Sequence, residues 1–175
     1  MKSVPHSRLF LASLAGLALP LAPLAAQGHD KETAASADAI RAAVAAPTRS
    51  PANLARDIYR HPAETLDFFG VTPGQTVVEY SPGGGWYTEI LAPLLRDHGM
   101  LYALQNDDRY FKTVETFLAA NPAVYDRVKL VPYTGQPAAI PANSVDTVLT
   151  FRNVHNMVMA GTEAATFRTF FDMLK

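Results

Sequence analysis

The chain has 175 residues, with 15 Lys and Arg against 16 Asp and Glu, a formal net charge of -1 and a hydrophobic fraction of 49%. That balance excludes a disordered tail and a basic nucleic-acid binder. The absence of cysteine excludes a disulfide scaffold, a Cys-ligated zinc or iron–sulfur site, and thiol catalysis.

Lys2, His6 and Arg8 precede an apolar run over residues 9–19 that continues, broken by Pro20 and Pro23, to Ala26. This is the pattern of a secretory signal peptide cut after Ala26, which predicts a periplasmic or secreted protein. A spanning helix needs about 20 consecutive apolar residues, so the two prolines argue against one, with an uncleaved anchor as the alternative. No integral membrane segment is expected after cleavage. Residues 27–38 are small and polar and predict a flexible N-terminus. A short helix follows over residues 38–46, with Ile40 and Val44 one turn apart, stopped by Pro47.

Residues 50–175 read as one domain, large enough to bury a real core. Ser50-Pro51 supplies an N-cap and first turn for a helix through Ile58. Pro62 opens another over residues 63–69, which Gly70 ends. From there strands and helices alternate. Strands are expected at 76–81, 100–105, 129–133 and 145–151. Helices are expected at 86–97, with Pro93 as a kink or break, at 109–120 and at 162–174. This alternation predicts an α/β fold, a doubly wound parallel sheet with right-handed crossovers. No internal repeat or second domain is visible.

The most informative stretch is Val77-Val78-Glu79-Tyr80-Ser81-Pro82-Gly83-Gly84-Gly85-Trp86-Tyr87-Thr88, a buried-type strand that runs into three glycines and then a helix. Glycines at that place let the backbone pass close to a ligand and turn into a helix N-terminus, whose free N–H groups attract polar or anionic groups. A tight turn without ligand is the plainer alternative. The dinucleotide pattern G-x-G-x-x-G fails at its third place, where Thr88 stands. An acid followed by x-G-x-G-x-G, the pattern of class I methyltransferases, is met by Glu79, Gly83 and Gly85, with Ser81 in place of the first glycine.

The resemblance extends to two further stretches, Arg60-His61-Pro62-Ala63-Glu64-Thr65 and Phe151-Arg152-Asn153-Val154-His155-Asn156. Together the three look like a family of bacterial, often exported, class I S-adenosylmethionine-dependent methyltransferase-like proteins, over about residue 50 to the C-terminus. What the resemblance implies is a Rossmann-like fold binding S-adenosylmethionine, with Gly83, Gly84 and Gly85 approaching the methionine portion. Glu79 would orient the loop or the ligand amine, Ser81 would border the cofactor at the first-glycine place, and Trp86 would line an adenosine or substrate pocket or belong to the core. The position that grips the ribose in active relatives falls on Gln105, which is not an acid, with Asp107 or Asp108 as substitutes if the strand end is shifted. The place near the adenine amine falls around Gln136, again without a carboxylate.

Arg152, Asn153, His155 and Asn156 follow the last strand, where this fold presents side chains to the ligand crevice. His155 is the candidate general base and Asn153 a positioning group, with a packed or hydrogen-bonded loop role for His155 as the alternative. The five histidines have no metal-ligand spacing, and no G-x-S-x-G elbow is present. Methyl transfer to an unknown small-molecule acceptor is the first reading, and an exported binding protein that has kept the fold without the cofactor is the second. The strand order of the broad fold, 3-2-1-4-5-7-6, implies that the chain is truncated after its fourth strand–helix unit. Residues 145–151 would then form an exposed apolar edge prone to self-association.

Overall fold

The structure, a computed structural model, describes residues 24–135 and 140–175. The expected signal segment lies outside the described residues as far as residue 23, and Gln136 lies outside them too. The first helix, α1, spans Leu24–Val44. It begins well before residue 38, so the segment expected to be flexible is helical. The stretch is rich in alanine, the strongest helix former, and it lacks proline. Ile40 and Ala43 are buried on one side of α1.

Between residues 50 and 70 the single helix expected through Ile58 is two short ones, α2 (Pro51–Leu54) and α3 (Asp57–Arg60), followed by α4 (Pro62–Phe68). The Ser50 hydroxyl caps α2 by accepting from the Asn53 N–H. His61, between α3 and α4, sits in the left-handed region at φ 44. Pro62 disfavours a helical residue before it, so the chain turns there instead of running on.

The alternating part follows the sequence closely. Its elements are β1 (Thr76–Tyr80), α5 (Thr88–Leu95), β2 (Met100–Gln105), α6 (Asp108–Ala120), α7 (Pro122–Tyr125), β3 (Lys129–Pro132), β4 (Thr147–Thr150), α8 (Val154–Ala160) and α9 (Glu163–Met173). All strand pairs are parallel and the order is β3-β2-β1-β4. Helices cover both faces of the sheet. Val77 faces a core with Ile40, Leu66, Ile90, Leu91 and Leu95, whereas its neighbour Val78 faces Tyr80, Leu104, Met157, Phe170 and Met173. Strands buried on both faces read as continuous apolar runs, which is why 76–81 and 100–105 were legible.

Two expectations need correction. Pro93 does not break the helix expected at 86–97: it lies inside α5, which is shorter at both ends. The apolar side chains at 145–151 are not exposed either. Val145 and Leu149 are buried, and the Phe151 ring stacks on Tyr87 at 3.8 Å. After α9 the chain returns beside this segment, where Leu174 bridges Val145 in parallel. Among the described residues β4 has a strand neighbour on one side only. No helix among the described residues is long and apolar enough to cross a membrane.

One buried side chain fastens the N-terminal helices to this frame. Arg49, 3% exposed, donates to the Val44 carbonyl at 2.8 Å and in a fork to both Asp57 oxygens, and its Nε lies 3.9 Å from Glu89 Oε2. The same Glu89 oxygen accepts from the Ser50 N–H at 3.1 Å. Arg49 thereby joins the end of α1, the start of α3 and the first turn of α5. Removing one partner of a buried ion pair leaves the other charge uncompensated. Arg49→Met is therefore expected to lower the unfolding free energy by about 3 kcal/mol, the low end of the usual range because Asp57 is partly exposed. Urea denaturation measures this, and a loss below about 1 kcal/mol would show that the fastening is dispensable.

Candidate active site

At the carboxyl ends of β1, β2 and β4 the structure opens a cavity of about 730 Å³. The chain leaves β1 toward β2 and β3 on one side and returns to β4 on the other, so the cavity lies at the topological switch point, where open α/β sheets bind ligands. The three stretches singled out in the sequence meet around it. Arg60 comes from the first, Gly83 and Gly84 from the second, and Arg152 and His155 from the third.

The loop after β1 is built from left-handed residues: Ser81 at φ 55, Gly83 at φ 60 and Gly85 at φ 79. Ser81 thus takes the backbone conformation for which glycine is favoured, and its N–H donates to the Leu104 carbonyl at 2.8 Å. A Cβ on Gly83 or Gly84 would meet nothing within 4 Å, so both present open backbone to the cavity. Gly85 differs. Its Cβ would come 2.9 Å from the Phe117 ring, and it is not part of the cavity wall. Its requirement is a tight turn against α6, so bulk placed at Gly85 tests packing and not ligand approach.

Glu79 lies beneath this loop, 3% exposed, and its Oε2 accepts from the Thr88 hydroxyl at 2.7 Å. Burial pushes its carboxyl up to about 7, partly offset by that hydrogen bond. Thr88, where the dinucleotide pattern would carry its third glycine, has a role that the sequence did not disclose: its hydroxyl serves the buried acid. Glu79 does not line the cavity, so it acts on the loop rather than on a ligand directly.

Gln105 ends β2 but turns inward. Its side chain is buried, with Oε1 accepting from the N–H groups of Asn106 and Asp107 at 2.9 and 3.2 Å, while Nε2 has no partner. It caps the strand end and does not face the ligand crevice, contrary to its expected place. Asp107 lines the cavity instead, where it caps α6 through the Arg109 N–H and pairs with the Arg109 guanidinium at 2.6 Å. Those bonds hold the Asp107 carboxyl below its ordinary range.

Trp86 also borders the cavity, 5% exposed, and donates from Nε1 to the Asn53 carbonyl at 2.9 Å. The ring belongs to the core cluster and also borders the cavity. Arg60 sits over it at 4.9 Å from the ring centroid, and Arg49 approaches the same ring at 5.7 Å. Asn153 donates from Nδ2 to the Tyr80 carbonyl at 3.2 Å and toward Thr150 Oγ1 at 3.4 Å, tying the ends of β1 and β4 together. His155 is exposed on the first turn of α8, at the cavity wall. Among the described residues no three His, Asp or Glu side chains gather as a metal-ligand group.

The same topology recurs in solved methyltransferases. A SAM-dependent methyltransferase from Aquifex aeolicus superposes with a TM-score of 0.60 at 19% identity, over 72% of this chain and 63% of that one. The fold is the class I methyltransferase fold. The glycopeptide N-methyltransferase MtfA, complexed with sinefungin, gives 0.50 at 22% identity over 64% of this chain and 43% of that one. The DszA carbon methyltransferase gives 0.50 at 16% identity over 73% and 34%. At these identities the likeness concerns the fold, and the chain spans 63% or less of each protein's length. No family model and no curated protein matches the sequence.

The raised Glu79 carboxyl makes a directional prediction. Its folded-state value, about 7, exceeds the ordinary 4.5, so the folded state holds the proton more tightly between those limits. The stability that this group contributes is full below about pH 4.5, falls as pH rises to about 7, and is gone above. Unfolding free energies at pH 5 and pH 8 should differ more in the wild type than in Glu79→Gln. Equal differences in both proteins would place the titration elsewhere.

Proposed function

We propose that the cavity binds S-adenosylmethionine along the Gly83–Gly84 backbone and that the protein is a methyltransferase acting on a small molecule. The observation that carries this reading is the open glycine backbone facing a cavity of about 730 Å³ at the switch point of a class I methyltransferase fold. The residues present fit the cofactor in two respects. Gly83 and Gly84 leave room that any side chain would fill, and behind the loop the buried Glu79 carboxyl accepts from the Thr88 hydroxyl.

In this reading Ser81, Gly83 and Gly84 border the methionine portion, while Trp86 offers an aromatic wall. Asp107 is the carboxylate available at the end of β2, the role that Gln105 was expected to fill, and Gly85 with Glu79 shapes the loop. When bound, the cofactor supplies an electrophilic methyl group. His155 stands where its imidazole can take a proton from an acceptor, and Asn153 fixes the ends of β1 and β4 so that the wall carrying His155 keeps its place. The N-terminal segment belongs to the same proposal as an export signal cut after Ala26, read out by the intact mass of exported protein. So does self-association through the outer edge of β4, read out by sedimentation velocity.

A second reading, a fold kept for ligand binding without methyl transfer, is favoured by one observation. The end of β2 carries the inward-turned amide of Gln105, and the nearby Asp107 is already engaged by Arg109. Calorimetric titration with S-adenosylmethionine separates the two. Gly84 has an ordinary backbone angle and open space at its Cβ, so Gly84→Val should fold as the wild type does while placing bulk at the cofactor backbone. Binding by the wild type, weakened at least about 10-fold in Gly84→Val, is the expected result, since one lost charge-assisted contact alone accounts for that factor. No binding by the wild type would favour the second reading, and equal binding by both proteins would move the site away from the loop.

A further inference from the structure

Arg56, Arg60 and Arg152 reach the cavity wall from three places: the start of α3, the end of α3 and the loop between β4 and α8. Among the described residues none of the three is in an ion pair, although eight ion pairs form elsewhere. The one carboxylate on the described cavity wall, Asp107, is taken by a fourth arginine, Arg109, at 2.6 Å. The wall therefore carries three uncompensated guanidinium groups in a chain whose formal net charge is -1.

Folding alone gives no reason for that arrangement. Burial, and then the charges of Arg56 and Arg152, lower the Arg60 guanidinium from its ordinary value, so Arg60 stands within reach of both like charges. Arg152 is also held at φ 61, in the left-handed region that costs a non-glycine residue energy and that clusters at ligand sites. Guanidinium forks match carboxylate and phosphate groups in bidentate geometry. A single carboxylate cannot occupy three of them. A concave cavity of about 730 Å³ lies in the range of small-ligand sites, and the overall charge lacks the basic excess of a nucleic-acid binder.

The geometry points to a second subsite: Arg56, Arg60 and Arg152 bind a small acid that carries at least two carboxylate or phosphate groups, beside the glycine loop. Its identity as the methyl acceptor rests on the methyltransferase reading. The binding of the acid does not.

The test uses the full chain without cofactor, titrated with citrate, with pyrophosphate and with acetate. Trp86 is the single tryptophan, and Arg60 lies over its ring, so its emission reports movement of that guanidinium directly in the wild type. Citrate or pyrophosphate should change the emission and bind at least about 10-fold tighter than acetate, more weakly as ionic strength rises. The better of the two identifies a polycarboxylate or a phosphate ligand. Arg56→Gln and Arg152→Gln, both at exposed positions, should each weaken it about 10-fold or more, and leave S-adenosylmethionine binding within about 3-fold. The proposal is overturned if neither multivalent anion alters the wild-type emission, or if their binding survives the double substitution. It is equally overturned if the substitutions weaken S-adenosylmethionine alone, for the arginines would then serve the cofactor. Anion binding without cofactor binding would keep the subsite and remove the methyl-transfer reading.

Discussion

The cavity depends on one buried cation. Arg49 has no exposed side-chain surface, and its guanidinium joins the Val44 carbonyl, both oxygens of Asp57 and the neighbourhood of Glu89. These partners lie on α1, α3 and α5, so a single group sets how the N-terminal helices lean on the first helix after the glycine loop. The consequence reaches the site through Trp86. Its ring lies near Arg49 and beneath Arg60, and its indole N–H holds the Asn53 carbonyl. Without this fastening the wall that carries Asn53, Arg56 and Arg60 would have little to fix it against the sheet, because α2 and α3 contain no buried residue of their own.

The places where this chain departs from the class I methyltransferase loop pattern are answered locally. Ser81 occupies a glycine place and accepts the left-handed angle, held by its bond to the Leu104 carbonyl. Thr88 gives a hydroxyl to the buried Glu79. Gln105 spends its carbonyl oxygen on the two N–H groups that follow it, which shapes the turn presenting Asp107 to the cavity. None of them by itself supplies a charge to a ligand.

The centre of the sheet was legible because β1 and β2 are buried on both faces and end at polar, proline or glycine turns, as with 76–81 running into Pro82 and Gly83. Helix lengths were less so. The polar composition of residues 27–38 concealed a helix whose formation rests on alanine propensity, and the left-handed turn at His61 has no periodic signature. The three site stretches could be found individually, since glycine runs and post-strand polar residues have recognisable chemistry. Their meeting could not be read, because the stretches that carry Arg60, Gly83 and Arg152 lie far apart in the chain. The inward turn of Gln105 and the outward turn of Asp107 also escape sequence reasoning, since a strand end one or two residues long decides which side chain faces the crevice.

The central claim is that one cavity has a glycine side for the cofactor and an arginine side for an acid. A crystal structure of the chain grown with S-adenosylhomocysteine and citrate tests it most directly. The account predicts the nucleoside thioether along Gly83 and Gly84 with citrate against Arg56, Arg60 and Arg152. Density for either molecule at another place, or the two in exchanged positions, would contradict it.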